Sequence, residues 1–186
     1  MMGPPEDTQV IAIDTETFYS KDYSVSKLGA HAYTRHPLFE TLLISAAWGE
    51  GKGQSIVATP AGFPWGILEG KKIVAHNAGF DRAVLKATPE APEIPGDVWI
   101  DSAGMAAYHQ FPRSLKGAAN ELWGETISKD VRDRMEGKRL EDLSQGERDD
   151  FLRYARLDAV ACFKVYEALK DTTPQHEIEL MSLAMD

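Results

Sequence analysis

The chain has 186 residues, 43% of them hydrophobic and 26% charged, the balance of one globular domain rather than of a disordered, collagen-like or coiled-coil chain. Twenty basic against 29 acidic residues leave a net charge of −9, so charge alone would not hold duplex nucleic acid, although an enzyme that meets phosphate through metal ions needs carboxylates in its site. The single cysteine, Cys162, excludes an internal disulfide and a cysteine-based zinc cluster and fits a reducing, cytoplasmic setting.

From the N-terminus, Met1–Thr8 has neither the basic nor the apolar part of a secretory signal. Val10–Ile13 is a short apolar run that reads as a buried strand and runs into Asp14-Thr-Glu16. Residues 18–37 are aromatic, serine-rich and weakly basic, an inserted loop or short helix. Thr41–Trp48 reads as a second strand, Glu50–Gly53 as a turn and Gln54–Ala58 as a third strand. Pro60 suits the first turn of a helix reaching about Leu68. Lys72–His76 is a fourth strand and Phe80–Lys86 the helix after it. Prolines 89, 92 and 95 mark a loop before a short fifth strand, Val98–Ile100.

Helical signals continue near Asp101–Tyr108, Ser114–Leu122, Lys129–Glu136 and Ser144–Leu169, the last opened by a Ser144/Glu147 capping box. His176–Met185 begins a further helix. No apolar run approaches the ~20 residues of a membrane span. Early hairpins, then strand–helix alternation, then helices predict an α/β domain with a mixed sheet flanked by helices.

Three segments carry acids where chemistry could use them. Asp14 and Glu16 are two apart on a strand, so both project to one face and Thr15 to the other. Two like charges there repel unless a cation compensates, and oxygen ligands suit Mg²⁺ or Mn²⁺. Solvated residues at a strand end are the plainer alternative. In His76-Asn77-Ala-Gly-Phe80-Asp81 a strand gives way to a helix. Asn77 is placed to cap it, and Asp81 falls in its first turn, where an anion also merely stabilises the dipole. His76 reads more readily as a packed residue than as a ligand. Tyr154 and Asp158 lie one turn apart on a helix that is apolar almost all round. A buried acid there needs a metal or a cation such as Arg153 or Arg156.

Taken in order, D-x-E, N-x-x-F-D and Y-x-x-x-D resemble the DEDD superfamily of 3′–5′ exonucleases, in the subclass carrying tyrosine. The resemblance spans Val10 to Leu169. The histidine subclass would place its histidine five residues before the last aspartate, where this chain has Arg153.

The resemblance implies a ribonuclease H-like, mixed five-stranded sheet and hydrolysis of phosphodiester bonds with two divalent cations, Mg²⁺ or Mn²⁺. By the same resemblance Asp14 bridges both ions, Glu16 and Asp158 complete the site that holds the attacking water, and Asp81 holds the second ion partly through water. Tyr154 orients the water. Thr15, Phe18, Asn77 and Phe80 are the expected contacts to a single-stranded or frayed DNA 3′ end. Tyr19 is a further stacking candidate. Lys21, Lys27, Arg35, Arg113, Lys116, Lys129, Arg132 and Arg134 are candidates for phosphate contact. Trp48, Trp65, Trp99 and Trp123 read as core.

Asp14-Thr-Glu-Thr-Phe-Tyr, Tyr33-Thr-Arg-His-Pro-Leu-Phe-Glu-Thr-Leu-Leu and Ser114-Leu-Lys-Gly-Ala-Ala-Asn-Glu-Leu are similar to the proofreading domain of phage DNA polymerases related to bacterial polymerase I. That similarity implies an exonuclease domain over residues 1–173, with 174–186 leading to a polymerase domain, in a bacterial or phage-infected cytoplasm. The stripe Ile178, Met181, Met185 would then pack on that polymerase domain; folding back on the exonuclease is the alternative. Two other functions stay open. One is an RNA-trimming exonuclease similar to ribonuclease D. The other is a non-catalytic nucleic-acid-binding module, against which four intact carboxylates speak.

Overall fold

The computed structural model describes residues 3–49, 54–124 and 130–183. Five strands form one sheet in the order β3-β2-β1-β4-β5. The central strand β1 (Val10–Thr17) runs antiparallel to β2 (Thr41–Trp48) and parallel to β4 (Lys72–Ala75). Outside them lie β3 (Gln54–Ala58), antiparallel to β2, and β5 (Trp99–Asp101), parallel to β4. This is the mixed α/β sheet that the sequence predicts.

Every residue of β2 is buried, because helices and turns cover both faces of the sheet. Alternation along β1 assigns those faces. Ile11 and Ile13 pack with Ala78 and Leu85 of α2 (Ala78–Ala87). Val10 and Ala12 pack with Ala159 and Cys162 of the long helix α6 (Gln145–Leu169). Between β1 and β2 in sequence lies α1 (Val25–Thr34), kinked at Gly29, whose φ of 72° a side chain would resist. After β5 come α3 (Ser102–Tyr108), α4 (Leu115–Trp123) and the short α5 (Asp130–Asp133).

Four expectations change. The helix from Pro60 is two 3₁₀ turns, Pro60–Gly62 and Trp65–Leu68. Pro64 between them forces Phe63 into an extended conformation and breaks the run. The helix expected over Lys129–Glu136 shrinks to Asp130–Asp133; Lys129 and the Glu50–Gly53 turn lie outside the described residues. α6, apolar almost all round, is not buried all round, since Leu157 is 56% exposed. The final helix α7 (Gln175–Leu183) folds back. Ile178 is buried, Met181 packs against the core, and the Ser182 hydroxyl donates to the Trp99 carbonyl at 2.6 Å. Its stripe therefore finds a partner within the chain; Met185 lies outside the described residues. The capping box of α6 forms as read, with Glu147 accepting from the Ser144 amide at 2.9 Å. Trp48 and Trp99 are buried, and Trp65 and Trp123 pack partly buried against the core.

Candidate active site

The alternation that sorts the core also builds the site. Asp14 and Glu16 occupy the face of β1 turned to α6, whose Tyr154 and Asp158 are buried one turn apart. One carboxylate oxygen from each of Asp14, Glu16 and Asp158 lies within 4.8 Å of the others. The fully buried Ser45, register partner of Asp14 on β2, donates to the Ala155 carbonyl at 2.8 Å. That bond pins α6 to the sheet between the two residues it contributes.

Thr15 points the other way and holds Asp81. One oxygen of Asp81 accepts from the Thr15 amide at 3.0 Å and from the Thr15 hydroxyl at 2.7 Å. Thr15 thus meets Asp81 through both its donors. A register irregularity between Glu16 and Thr17 ends the regular pairing with β2 beside the acids, a common place for a sheet to re-aim side chains.

The turn that delivers Asp81 depends on an acid the sequence reading overlooked. Asn77 is left-handed (φ 75°, ψ 53°) and its side chain makes no capping bond. Asp101, at the end of β5, does the capping instead. Its Oδ1 accepts from the amides of Asn77 (2.9 Å), Ala78 (3.3 Å) and Ala103 (3.0 Å), and its other oxygen faces Arg113 at 3.7 Å. The visible signal was an acid between a predicted strand and a predicted helix. His76 is packed, as expected. Its Nε2 donates to the Arg113 carbonyl at 2.8 Å and its Nδ1 accepts from the Ser102 hydroxyl at 2.9 Å, so neither nitrogen faces a metal.

Asp14, Glu16, Asp81, Tyr154 and Asp158 open on a cleft of about 330 Å³ that Asn77, Phe80, Tyr19 and Arg132 also line. Phe18 does not line it. Phe18 is 8% exposed, stacked on Tyr23 and covered by the Arg139 guanidinium at 4.2 Å, so its ring is shielded from a base. Tyr19 instead stands at the rim. Its hydroxyl donates to the Arg132 carbonyl at 2.5 Å, and the Arg132 guanidinium sits 5.8 Å from its ring centre. A neighbouring channel brings Arg113 and Lys116 alongside Asp14 and Asp158.

The electrostatics are those of a cation site. Burial first, then Glu16, Asp158 and Asp81, raises the Asp14 carboxyl well above its usual range. Burial and Asp158 push Glu16 up to about 8, against the opposing field of Arg132. Burial pushes Asp81 up to about 7 although its bonds to Thr15 pull it down. Burial, then Glu16 and Asp158, raises the Tyr154 hydroxyl, which is hydrogen-bonded to Asp158. Among the described residues, Asp14 Oδ2 is buried with no hydrogen-bond partner. An all-oxygen donor set, mutual repulsion and an orphaned carboxylate oxygen fit hard divalent cations, Mg²⁺ or Mn²⁺.

Comparison with known proteins agrees. A family model described as 3′–5′ exonuclease matches residues 4–174. No curated protein sequence matches the chain significantly. Among solved structures, NrnC of Brucella melitensis aligns with a TM-score of 0.64 at 20% identity, over 96% of this chain and 80% of its own, and has also been solved with bound Mg²⁺ and bound to pGG. Ribonuclease D of Trypanosoma brucei aligns at 0.66 and 14% identity, over 97% of this chain and 65% of its own. Ribonuclease D of Escherichia coli, an exoribonuclease involved in structured RNA processing, aligns at 0.58 and 18% identity, over 95% and 44%. At these identities the likeness is one of fold, whereas the family match covers nearly the whole chain. The chain belongs to the 3′–5′ exonuclease family.

Proposed function

We propose that Asp14, Glu16, Asp81 and Asp158 hold two divalent cations and that the chain removes nucleotides from an unpaired 3′ end. The observation that carries this reading is the convergence of Asp14, Glu16 and Asp158 within 4.8 Å on one side of β1, with Asp81 held through Thr15 from the other. Divalent ions bound there supply an activated water and stabilise the departing oxygen.

The chain's own groups do the rest. Tyr154 is protonated at neutral pH, and its raised pKa leaves still less phenolate to act as a base. Its hydroxyl keeps its proton and orients the attacking water. Asp158, hydrogen-bonded to it, fixes that orientation. Phe80 and Tyr19 on the cleft wall offer faces for the terminal base, and Arg132 and Arg113 meet phosphate at its rim.

The substrate we favour is the 3′ end of RNA or a short oligonucleotide, on the strength of NrnC and ribonuclease D as neighbours. A second reading, proofreading of DNA beside a polymerase domain, rests on the proofreading-like segments around Tyr33–Leu43 and Ser114–Leu122. The docking of α7 on β5 removes one argument for it, that residues 174–186 form a helix lacking a packing partner. Digestion of matched RNA and DNA strands of one sequence separates the two. A large preference for the strand bearing 2′-hydroxyls supports the first, and preference for a mismatched DNA primer end supports the second.

A further inference from the structure

Beyond the catalytic cleft, the chain gathers cations in one place despite its net charge of −9. Helices α1 and α2 pack side by side, and a groove of about 470 Å³ runs over their junction. Among the described residues its walls carry His31 and Thr34 from α1, Arg35 just after it, and Gly79, Arg82 and Lys86 from α2, and no acid. Arg35 and Lys86 are exposed.

The arrangement is periodic on the α2 wall. Arg82 and Lys86 are four apart on α2 and so lie along one helix face a turn apart; on the other wall Arg35 follows directly after α1 and its guanidinium meets the His31 ring. Arg35 on one wall and Arg82 and Lys86 on the other make an elongated positive strip rather than a pocket for a compact ion. The strip adjoins the cleft through both helices. Ser24, Val25 and Ser26, at the start of α1, line the cleft, as do Phe80 and Asp81, which lie between groove residues Gly79 and Arg82 on α2.

We propose that this α1–α2 groove binds the sugar–phosphate backbone of the substrate strand upstream of its 3′ nucleotide. The inference rests on the exonuclease reading, since it takes the cleft as the seat of the 3′ end. Its chemistry is that of single-strand tracking: cations meet successive phosphates, bases are left unread, and affinity falls with salt. In a chain this acidic, the groove supplies local attraction that the molecule as a whole does not.

The test uses the double substitution Arg35→Gln with Lys86→Gln, both at exposed positions, and strands of two lengths. On a dinucleotide, too short to reach the groove, the variant should match the unmodified protein in kcat and KM. On a dodecanucleotide, KM should rise about 10-fold at low salt with kcat unchanged. The slope of log affinity against log salt should shrink by roughly 1.4, two phosphate contacts at about 0.7 each. An unchanged dodecanucleotide KM, or an equal rise on both lengths, would overturn the groove.

Binding of the labelled dodecanucleotide in EDTA, read by fluorescence anisotropy, keeps the two readings apart. Should the unmodified protein cleave nothing while the substitutions still weaken binding, the exonuclease reading fails and the groove stands. Should both proteins cleave the dodecanucleotide with one KM, the groove fails and the exonuclease stands.

Discussion

Replacing Glu16 by Gln removes one charge from the acidic cluster without removing its volume, and the consequence for stability changes with pH and with metal. Burial and Asp158 push the Glu16 carboxyl from an ordinary 4.5 up to about 8. The native state therefore keeps a proton that the unfolded chain has already released, and between those two pH values stability falls as pH rises. At about 1.4 kcal/mol per pKa unit, the full shift bounds the effect near 5 kcal/mol. Glu16 is partly open to the cleft, and screening by water leaves about 1–2 kcal/mol. For a chain of this size that is a change in Tm of roughly 2–8 °C. Thermal melts of the Glu16→Gln and unmodified proteins should coincide below about pH 4.5. In EDTA above about pH 8 the variant should melt higher by that margin. Added Mg²⁺ should reverse the order, because only the unmodified site regains its full ligand set. A Tm difference that is flat across pH in EDTA would refute the reasoning that mutual repulsion, relieved by cations, shapes this site.

Tyr154→Phe should lower kcat about 100-fold with the fold and metal affinity retained, because it loses a contact that orients water rather than a ligand; single-turnover kinetics at saturating Mg²⁺ check it. Thr15→Val removes the hydroxyl bond to Asp81 but keeps the amide bond. It should weaken Mg²⁺ binding several-fold, read by calorimetry, with stability lowered by about 1 kcal/mol. Asp101→Ala strips three amides of their acceptor and should cost about 2–3 kcal/mol in denaturant unfolding, with a loss of activity that metal excess does not restore. Phe18→Leu should leave KM for the strand unchanged while lowering Tm, because its ring is buried under Arg139.

What the sequence disclosed was what local periodicity encodes. Asp14 and Glu16 share a face because strands repeat every two residues, and Tyr154 and Asp158 share one because helices bring residues four apart together. The five strands were legible because each is a short apolar run bounded by turn residues. Features that depend on distant partners were hidden. Asn77 reads as a cap, yet Asp101 performs that role from another strand. Phe18 reads as a stacking platform, yet the guanidinium that covers it comes from Arg139, far along the chain. Ser45 looks like an ordinary strand residue until α6 lies across it. Ile178 and Met181 of the α7 stripe read as awaiting a partner, which β5 and α3 already provide. The helix expected after Pro60 failed for a local reason that was visible, a second proline at Pro64.

Four carboxylates holding divalent cations should drive removal of nucleotides from a 3′ end. The most direct measurement is timed digestion of a 5′-labelled single strand by the unmodified protein and by Asp14→Asn, each with Mg²⁺ and with excess EDTA. A ladder shortening one nucleotide at a time from the 3′ end should appear only with the unmodified protein and Mg²⁺ and be absent from the other three reactions. Undiminished cleavage in EDTA, an undiminished ladder from Asp14→Asn, or immediate release of the 5′-terminal nucleotide would contradict it.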